Sequence, residues 1–164
     1  MDGNSISTEP PASLALGAPL SPARILVVED DADIRSLNTE VLIRHGYHVD
    51  TAEDGAEAWG ALKARSYDLV VTDNQMPLMT GIELLKVLRA ARMDLPVIMA
   101  TGVVPQAEFN RHPWLRPAAL VLKPYTIDDL LVAVLEVLGT DKQSRAGLIL
   151  KNAPANPHQS ADRF

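Results

Sequence analysis

Residues 25–31 read Ile-Leu-Val-Val-Glu-Asp-Asp. Four apolar residues in a row, with no polar alternation, describe a short strand buried on both faces. The acids that follow end it. The same pattern returns along the chain: Leu69-Val-Val-Thr72 runs into Asp73, Pro96-Val-Ile-Met-Ala100 into Thr101, and Ala119-Leu-Val-Leu122 into Lys123-Pro124. Tyr47–Thr51 reads as a further strand. Strands buried on both faces belong to a parallel sheet with helices on each side.

Helical segments fill the gaps. Ile34, Leu37, Val41 and Leu42 recur at helical spacing, and Gly46 is a stop signal. Asp54 is a candidate N-cap with Glu57 three residues on, ahead of a stripe of Ala58, Ala61 and Leu62. Thr80 with Glu83 and Thr126 with Asp129 occupy capping-box positions. The first precedes Ile82, Leu85 and Leu88; the second opens a last helix expected to end at Gly139. Alternation of five strands with helices predicts an α/β domain with a doubly wound five-stranded parallel sheet, over residues 24–139. Such sheets bind ligands beyond the carboxyl ends of their strands, at the switch point in strand order.

Composition bounds the rest. The chain has 164 residues, 47% of them hydrophobic and only 4% aromatic, so the core is aliphatic. A net charge of −6 argues against a general nucleic-acid or anionic-membrane binder, which needs a basic face. With no cysteine there is no disulfide, thiolate metal site or thiol nucleophile, and a cytoplasmic location is expected. Residues 1–23 and 140–164, rich in Pro, Ser, Ala and Asn, read as flexible tails. The N-terminus lacks a basic region, and Gly17 and Pro19 interrupt its apolar patch, so no signal peptide is expected. The longest apolar run, Leu130–Leu138, contains Glu136 and is too short to span a membrane.

The chemistry lies at the predicted strand ends. Glu29 and Asp30 end the first strand, Asp73 the third, Thr101 the fourth and Lys123 the fifth. Clustered carboxylates raise one another's pKa unless a cation compensates them. Oxygen ligands on loops suit Mg²⁺. In that setting an oxygen of Asp73 can attack phosphorus as a nucleophile, with Lys123 and the Thr101 hydroxyl available to other phosphoryl oxygens. Acids after strands also serve as helix caps, and Asp31 and Asp33 read that way. It is the joint pattern that points to phosphoryl chemistry.

These segments, together with Thr72–Gly81 and Leu122–Thr126, resemble the receiver domain of bacterial two-component response regulators. The resemblance implies a flavodoxin-like fold, with Asp73 as phosphoacceptor. It implies a Mg²⁺ site made of Glu29, Asp30, Asp73 and the backbone carbonyl of Gln75. It implies that Thr101 is a switch hydroxyl, that Lys123 pairs with the phosphoryl group, and that the donor is a histidine kinase or a histidine phosphotransfer protein. It implies a module that catalyses only its own phosphorylation and dephosphorylation, and that signals through an output partner or relay. A phosphoaspartyl hydrolase needs a second Asp two residues after the nucleophile, where this chain has Gln75.

Two departures stand out. The aromatic residue usual three positions before the lysine is Leu120, which implies a weak or altered switch. The fourth-helix region carries Pro105, Pro113 and Pro117. Prolines inside a helix break it, so about two turns are expected over 106–112, then an irregular loop presenting Trp114 and Leu115. Trp114 would either anchor an interface or fold back over the core, whereas Trp59 reads as a packing residue. Both departures keep open the alternative of a degenerate receiver that binds partners without phosphorylation. Receivers often pair through their fourth helix, fifth strand and fifth helix, so a homodimer is possible. The stretch after Gly139, roughly 25 residues, is short for an output domain, which favours a single-domain regulator. His45, His48, His112 and His158 are dispersed and suggest no metal site.

Overall fold

The computed structural model describes residues 21–151, with side chains described through Gly139. Of the tails expected over 1–23 and 140–164, residues 1–20 and 152–164 lie outside the described residues. Five strands alternate with helices: β1 Arg24–Val28, α1 Ala32–Arg44, β2 His48–Ala52, α2 Gly55–Ala64, β3 Leu69–Asp73, α3 Gly81–Ala90, β4 Val97–Thr101, α4 Gln106–Arg111, a 3-10 turn Pro113–Leu115, β5 Ala119–Leu122 and α5 Ile127–Lys151. All pairings are parallel, in the order β2-β1-β3-β4-β5. The chain steps from β1 outward to β2, then back across β1 to β3. The switch point therefore falls between the carboxyl ends of β1 and β3.

Alternate strand residues feed two cores. Leu26, Val28, Val70, Val97 and Met99 pack under α2, α3 and the 3-10 turn. Ile25, Val27, Leu69, Val71, Ile98 and Val121 pack with Leu42 of α1 and with Leu130, Ala133, Val134 and Leu138 of α5. Each fully buried aliphatic side chain contributes roughly 1.5–3 kcal/mol. Both faces being covered explains the unbroken apolar runs.

The helix starts follow their capping residues. Asp31 caps α1 by accepting from the Asp33 and Ile34 N–H groups, at 2.9 and 3.1 Å. Asp33 sits inside the first turn rather than at a cap. Asp54 caps α2, and Thr80 and Glu83 form a reciprocal capping box on α3. Thr126 and Asp129 exchange bonds at the start of α5. Gly46 has φ +86°, the left-handed conformation that lets the chain leave α1 for β2. The Tyr47 N–H donates to the Leu42 carbonyl in that exit, so β2 begins at His48.

Three further expectations need correction. The last helix does not stop at Gly139 but runs on to Lys151. An interior glycine costs only about 1 kcal/mol, and no proline follows until Pro154. On α1 the buried stripe is turned: Leu37 is 48% exposed, while Asn38 is 5% exposed. In the fourth-helix region α4 is short as expected, but Leu115 is fully buried rather than presented. Pro113 opens a 3-10 turn, closed by the Leu115 N–H donating to the His112 carbonyl at 2.9 Å. That turn drives Leu115 into the core beside Phe109 and leaves Trp114 55% exposed. Trp59 packs against the core, as expected. Among the described residues no helix is long and apolar enough to cross a membrane.

Candidate functional site

The strand ends bring the acids, the threonine and the lysine to one edge of the sheet. Glu29 directly follows β1 and is buried; its N–H donates to the Ala52 carbonyl, and its Oε1 accepts from the Asp31 N–H at 3.3 Å. Asp30 is exposed at the rim. Asp73 is the last residue of β3 and is also buried. Its Oδ1 accepts from the Asn74 N–H at 2.6 Å.

Lys123 joins the two buried acids. Its Nζ donates to Glu29 Oε2 at 3.1 Å and lies 3.3 Å from Asp73 Oδ2. Its N–H donates to the Thr101 carbonyl at 3.0 Å, which extends the β4–β5 ladder by one rung and aims the side chain inward. Thr101, fully buried at the end of β4, turns its hydroxyl to the Val103 carbonyl at 3.1 Å. It stands beside the acids without hydrogen-bonding to them. Gln75 is exposed in the loop two residues past Asp73.

The charges respond to this crowding. Burial holds the Glu29 carboxyl above its ordinary pKa, and the hydrogen bond and charge of Lys123 offset that only in part. Burial works against the Lys123 ammonium, but Glu29 and Asp73 outweigh it and keep its pKa raised. With every group ionised, three carboxylates face one ammonium. Glu29, Asp30 and Asp73 each offer an oxygen within 4.8 Å of the others. All three are hard donors, and Asp30 opens on solvent. This set fits a divalent cation of the Mg²⁺ kind, which takes one or two carboxylates and keeps waters.

Three residues that support the site were not singled out from sequence. Arg35 of α1 donates to the Glu29 carbonyl at 2.7 Å and pairs with Glu53 at 3.2 Å, tying the acidic loop to the loop after β2. Asn74 accepts from the Ile82 N–H through Oδ1 at 3.0 Å, which ties the residue after Asp73 to α3. Gly81 has no room for a side chain: a Cβ there would lie 2.3 Å from the Asp73 carbonyl oxygen. A glycine immediately after a helix-capping threonine was the available signal, since it marks close backbone approach.

Comparison with known proteins agrees with this geometry. A family model described as the response regulator receiver domain matches residues 25–135. The response regulator receiver protein CpdR of Brucella abortus is 34% identical over 115 residues, spanning 70% of this chain and 96% of that one. A CheY-like receiver domain protein from Methanospirillum hungatei superposes with a TM-score of 0.70 at 28% identity, covering 76% of this chain and 99% of that one. The response regulator TrrA of Thermotoga maritima, solved in complex with Mg²⁺ and BeF, superposes with a TM-score of 0.61 at 33% identity, covering 70% of this chain and 98% of its own. By its sheet, its strand-end residues and these relatives, the chain belongs to the response regulator receiver domain family of two-component systems.

Proposed function

We propose that this chain takes a phosphoryl group onto Asp73 from a phosphohistidine donor and later releases it to water. The donor is a histidine kinase, the general partner of receivers, or a histidine phosphotransfer protein. An Asp73 carboxylate oxygen attacks phosphorus, and the phosphorus–nitrogen bond breaks with its electron pair returning to the imidazole of the donor. An acyl phosphate results. In hydrolysis a water oxygen attacks the same phosphorus, and the Asp73 carboxylate leaves.

The observation that carries this reading is the Lys123 ammonium, held 3.1 Å from Glu29 and 3.3 Å from Asp73. A lysine so placed can move from carboxylate to phosphoryl oxygen without travelling, so its charge is already in position where negative charge accumulates. Thr101 can offer its hydroxyl to another phosphoryl oxygen by giving up Val103. Glu29, Asp30 and Asp73, with the Gln75 carbonyl, are the groups that would hold Mg²⁺. A bound ion would neutralise charge on the phosphoryl oxygens.

The expected localisation is cytoplasmic, with signalling through an output partner or a relay and pairing into homodimers on the β5–α5 face. One observation favours the rival reading of a phosphorylation-independent interaction module. Leu120, at the switch position, lies exposed on β5. Incubation with acetyl phosphate and Mg²⁺, followed by intact mass measurement, separates the two. The expected result is a single phosphoryl gain that Asp73→Asn abolishes. No gain, or a gain that survives the substitution, refutes the phosphoacceptor reading.

A further inference from the structure

The turned face of α1 carries an observation that the phosphoacceptor chemistry does not require. Asn38 is buried where an apolar residue would pack. Burying an amide with no partner costs several kcal/mol, so its partner matters. Asn38 Nδ2 donates to the Tyr125 hydroxyl oxygen at 2.9 Å, across 87 residues of sequence. Tyr125 is itself half-buried, and burial raises its phenol pKa. It sits two residues beyond Lys123, with only Pro124 between them.

The loop from Lys123 to Thr126 is thus held at three points. The Lys123 N–H is tied to Thr101 of β4, Tyr125 to α1, and Thr126 to Asp129 of α5. The middle tie runs to the same helix that secures the opposite wall of the pocket. Arg35 lies one turn before Asn38 on α1 and grips the Glu29 carbonyl. Residues three apart share a helix face. One rigid helix therefore spans from the loop of the acids to the loop of the lysine. The two ties, at Arg35 and Asn38, are one helical turn apart.

We propose that Asn38 is a positioning residue, which acts through Tyr125 to hold the Lys123 ammonium over Asp73. The inference rests on the phosphoacceptor reading, because its main readout is phosphoryl uptake. Misplacing a charged group by a fraction of an ångström weakens what it contributes to the transition state. The hydroxyl of Tyr125 is the contact point, so Tyr125→Phe removes the tie while keeping the ring.

The test compares Asn38→Leu, Tyr125→Phe and Asn38→Ser with the parent, each also in a Lys123→Ala background. Uptake from acetyl phosphate with Mg²⁺ is followed by intact mass. Asn38→Leu and Tyr125→Phe are each expected to slow uptake about tenfold, and together by no more than either alone. In the Lys123→Ala background neither is expected to slow it further, an epistasis that a merely structural role would not produce. Asn38→Ser, whose shorter hydroxyl cannot span the gap, is expected to behave as Asn38→Leu.

A second readout needs no phosphoryl donor and no ion. The side-chain ¹³Cε–¹⁵Nζ signal of Lys123 is expected to be single and dispersed in the parent, and to move towards free-lysine values in Tyr125→Phe. A parent that takes up no phosphoryl group refutes the phosphoacceptor reading, and the lysine signal then decides the positioning role alone. If the parent is phosphorylated and the variants match its rate, or slow equally with and without Lys123, the inference on Asn38 is overturned.

Discussion

The carboxyl edge of the sheet and its β5 flank are built to opposite standards. At the edge, each buried functional group has a fixed partner: Asp73 has the Asn74 N–H and Lys123, Glu29 has Lys123 and the Asp31 N–H, and Thr101 has Val103. On the flank, β5 leaves Leu120 41% and Leu122 57% exposed, and Val132 and Leu135 of α5 continue the apolar surface. An open groove of about 440 Å³ runs between the two elements. The cause is local. The segment from α4 through the 3-10 turn leans on α3, with Lys86 paired to Glu108 at 2.9 Å and Leu115 sunk into the core. Leu120 is left partly exposed. If the proposed phosphoryl chemistry sits at the edge and the flank reports it, the two are separable, and substitutions should be able to disturb one without the other.

The largest effect on phosphoryl uptake is expected from Gly81→Ala. The new methyl would meet the Asp73 carbonyl at 2.3 Å and cannot be accommodated without moving β3 or α3. Overpacking of this kind costs about 1–3 kcal/mol. Because the displaced group is the backbone of Asp73, the proposed phosphoacceptor, uptake from acetyl phosphate should fall by about 10²-fold. Denaturant unfolding and intact mass read the two effects. A variant with parental uptake would show that the edge tolerates displacement.

Leu115→Ala should do the reverse. Truncating a fully buried leucine costs about 2–5 kcal/mol, and the loss is read from the denaturation midpoint. Its site lies under α3, away from the acids, so phosphoryl uptake per folded molecule is expected to stay parental. A drop in uptake would mean that the flank and the edge are coupled.

How far each region was legible in the sequence follows the same division. Two-sided burial leaves a plain trace, four apolar residues in a row, so the strands and the parallel sheet could be read directly. The gathering of the strand-end residues could be read because parallel topology puts every carboxyl end on one edge, whatever the sequence distance between Glu29 and Lys123. Contacts that depend on tertiary fit left no such trace. Leu37 and Asn38 are adjacent, and helical periodicity assigned the apolar one to the core. Asn38 instead shares the inner face with Val41 and Leu42, and its amide finds its partner in Tyr125, 87 residues away. Leu115 follows the break at Pro113, and only the 3-10 turn sends it inward. Gly139 looked like a stop because composition changes after it, yet a single glycine is a weak helix breaker.

A smaller effect is expected at the other edge of the sheet, which is charged where β5 is apolar. Asp50 of β2 accepts from Arg65 at 3.0 Å and from the Tyr67 hydroxyl at 2.9 Å, and lies 3.3 Å from Arg24. Burial pushes its pKa up, but these hydrogen bonds and charges outweigh it and leave the carboxyl below the ordinary 3.8. A depressed folded pKa stabilises the native state above the unfolded value, and the gain is lost as pH falls through the folded value. Asp50→Asn should therefore cost about 1 kcal/mol at neutral pH. That cost should shrink as the pH drops below 3.8. Urea midpoints across pH 7 to 3 measure it, and a pH-independent cost would mean the ion pairs contribute nothing.

The smallest effect on stability belongs to Leu122→Ser, and it sharpens the contrast most. An exposed side chain loses little burial on truncation, so the change should stay within about 0.5 kcal/mol. Uptake of the phosphoryl group should be parental, since the hydrogen bond that aims Lys123 comes from its own backbone N–H to Thr101. What the substitution removes is apolar surface from the groove along β5. If that flank is where copies of the chain or an output partner meet, sedimentation of the phosphorylated protein, or partner affinity, should change with Leu122→Ser while every property of the edge holds. Restoring an aromatic ring with Leu120→Tyr asks the complementary question. A larger phosphorylation-dependent change in Trp114 fluorescence, relative to the parent, would mean that the missing ring is what uncouples the flank from Asp73. An unchanged response would place the cause in the shortened α4 instead.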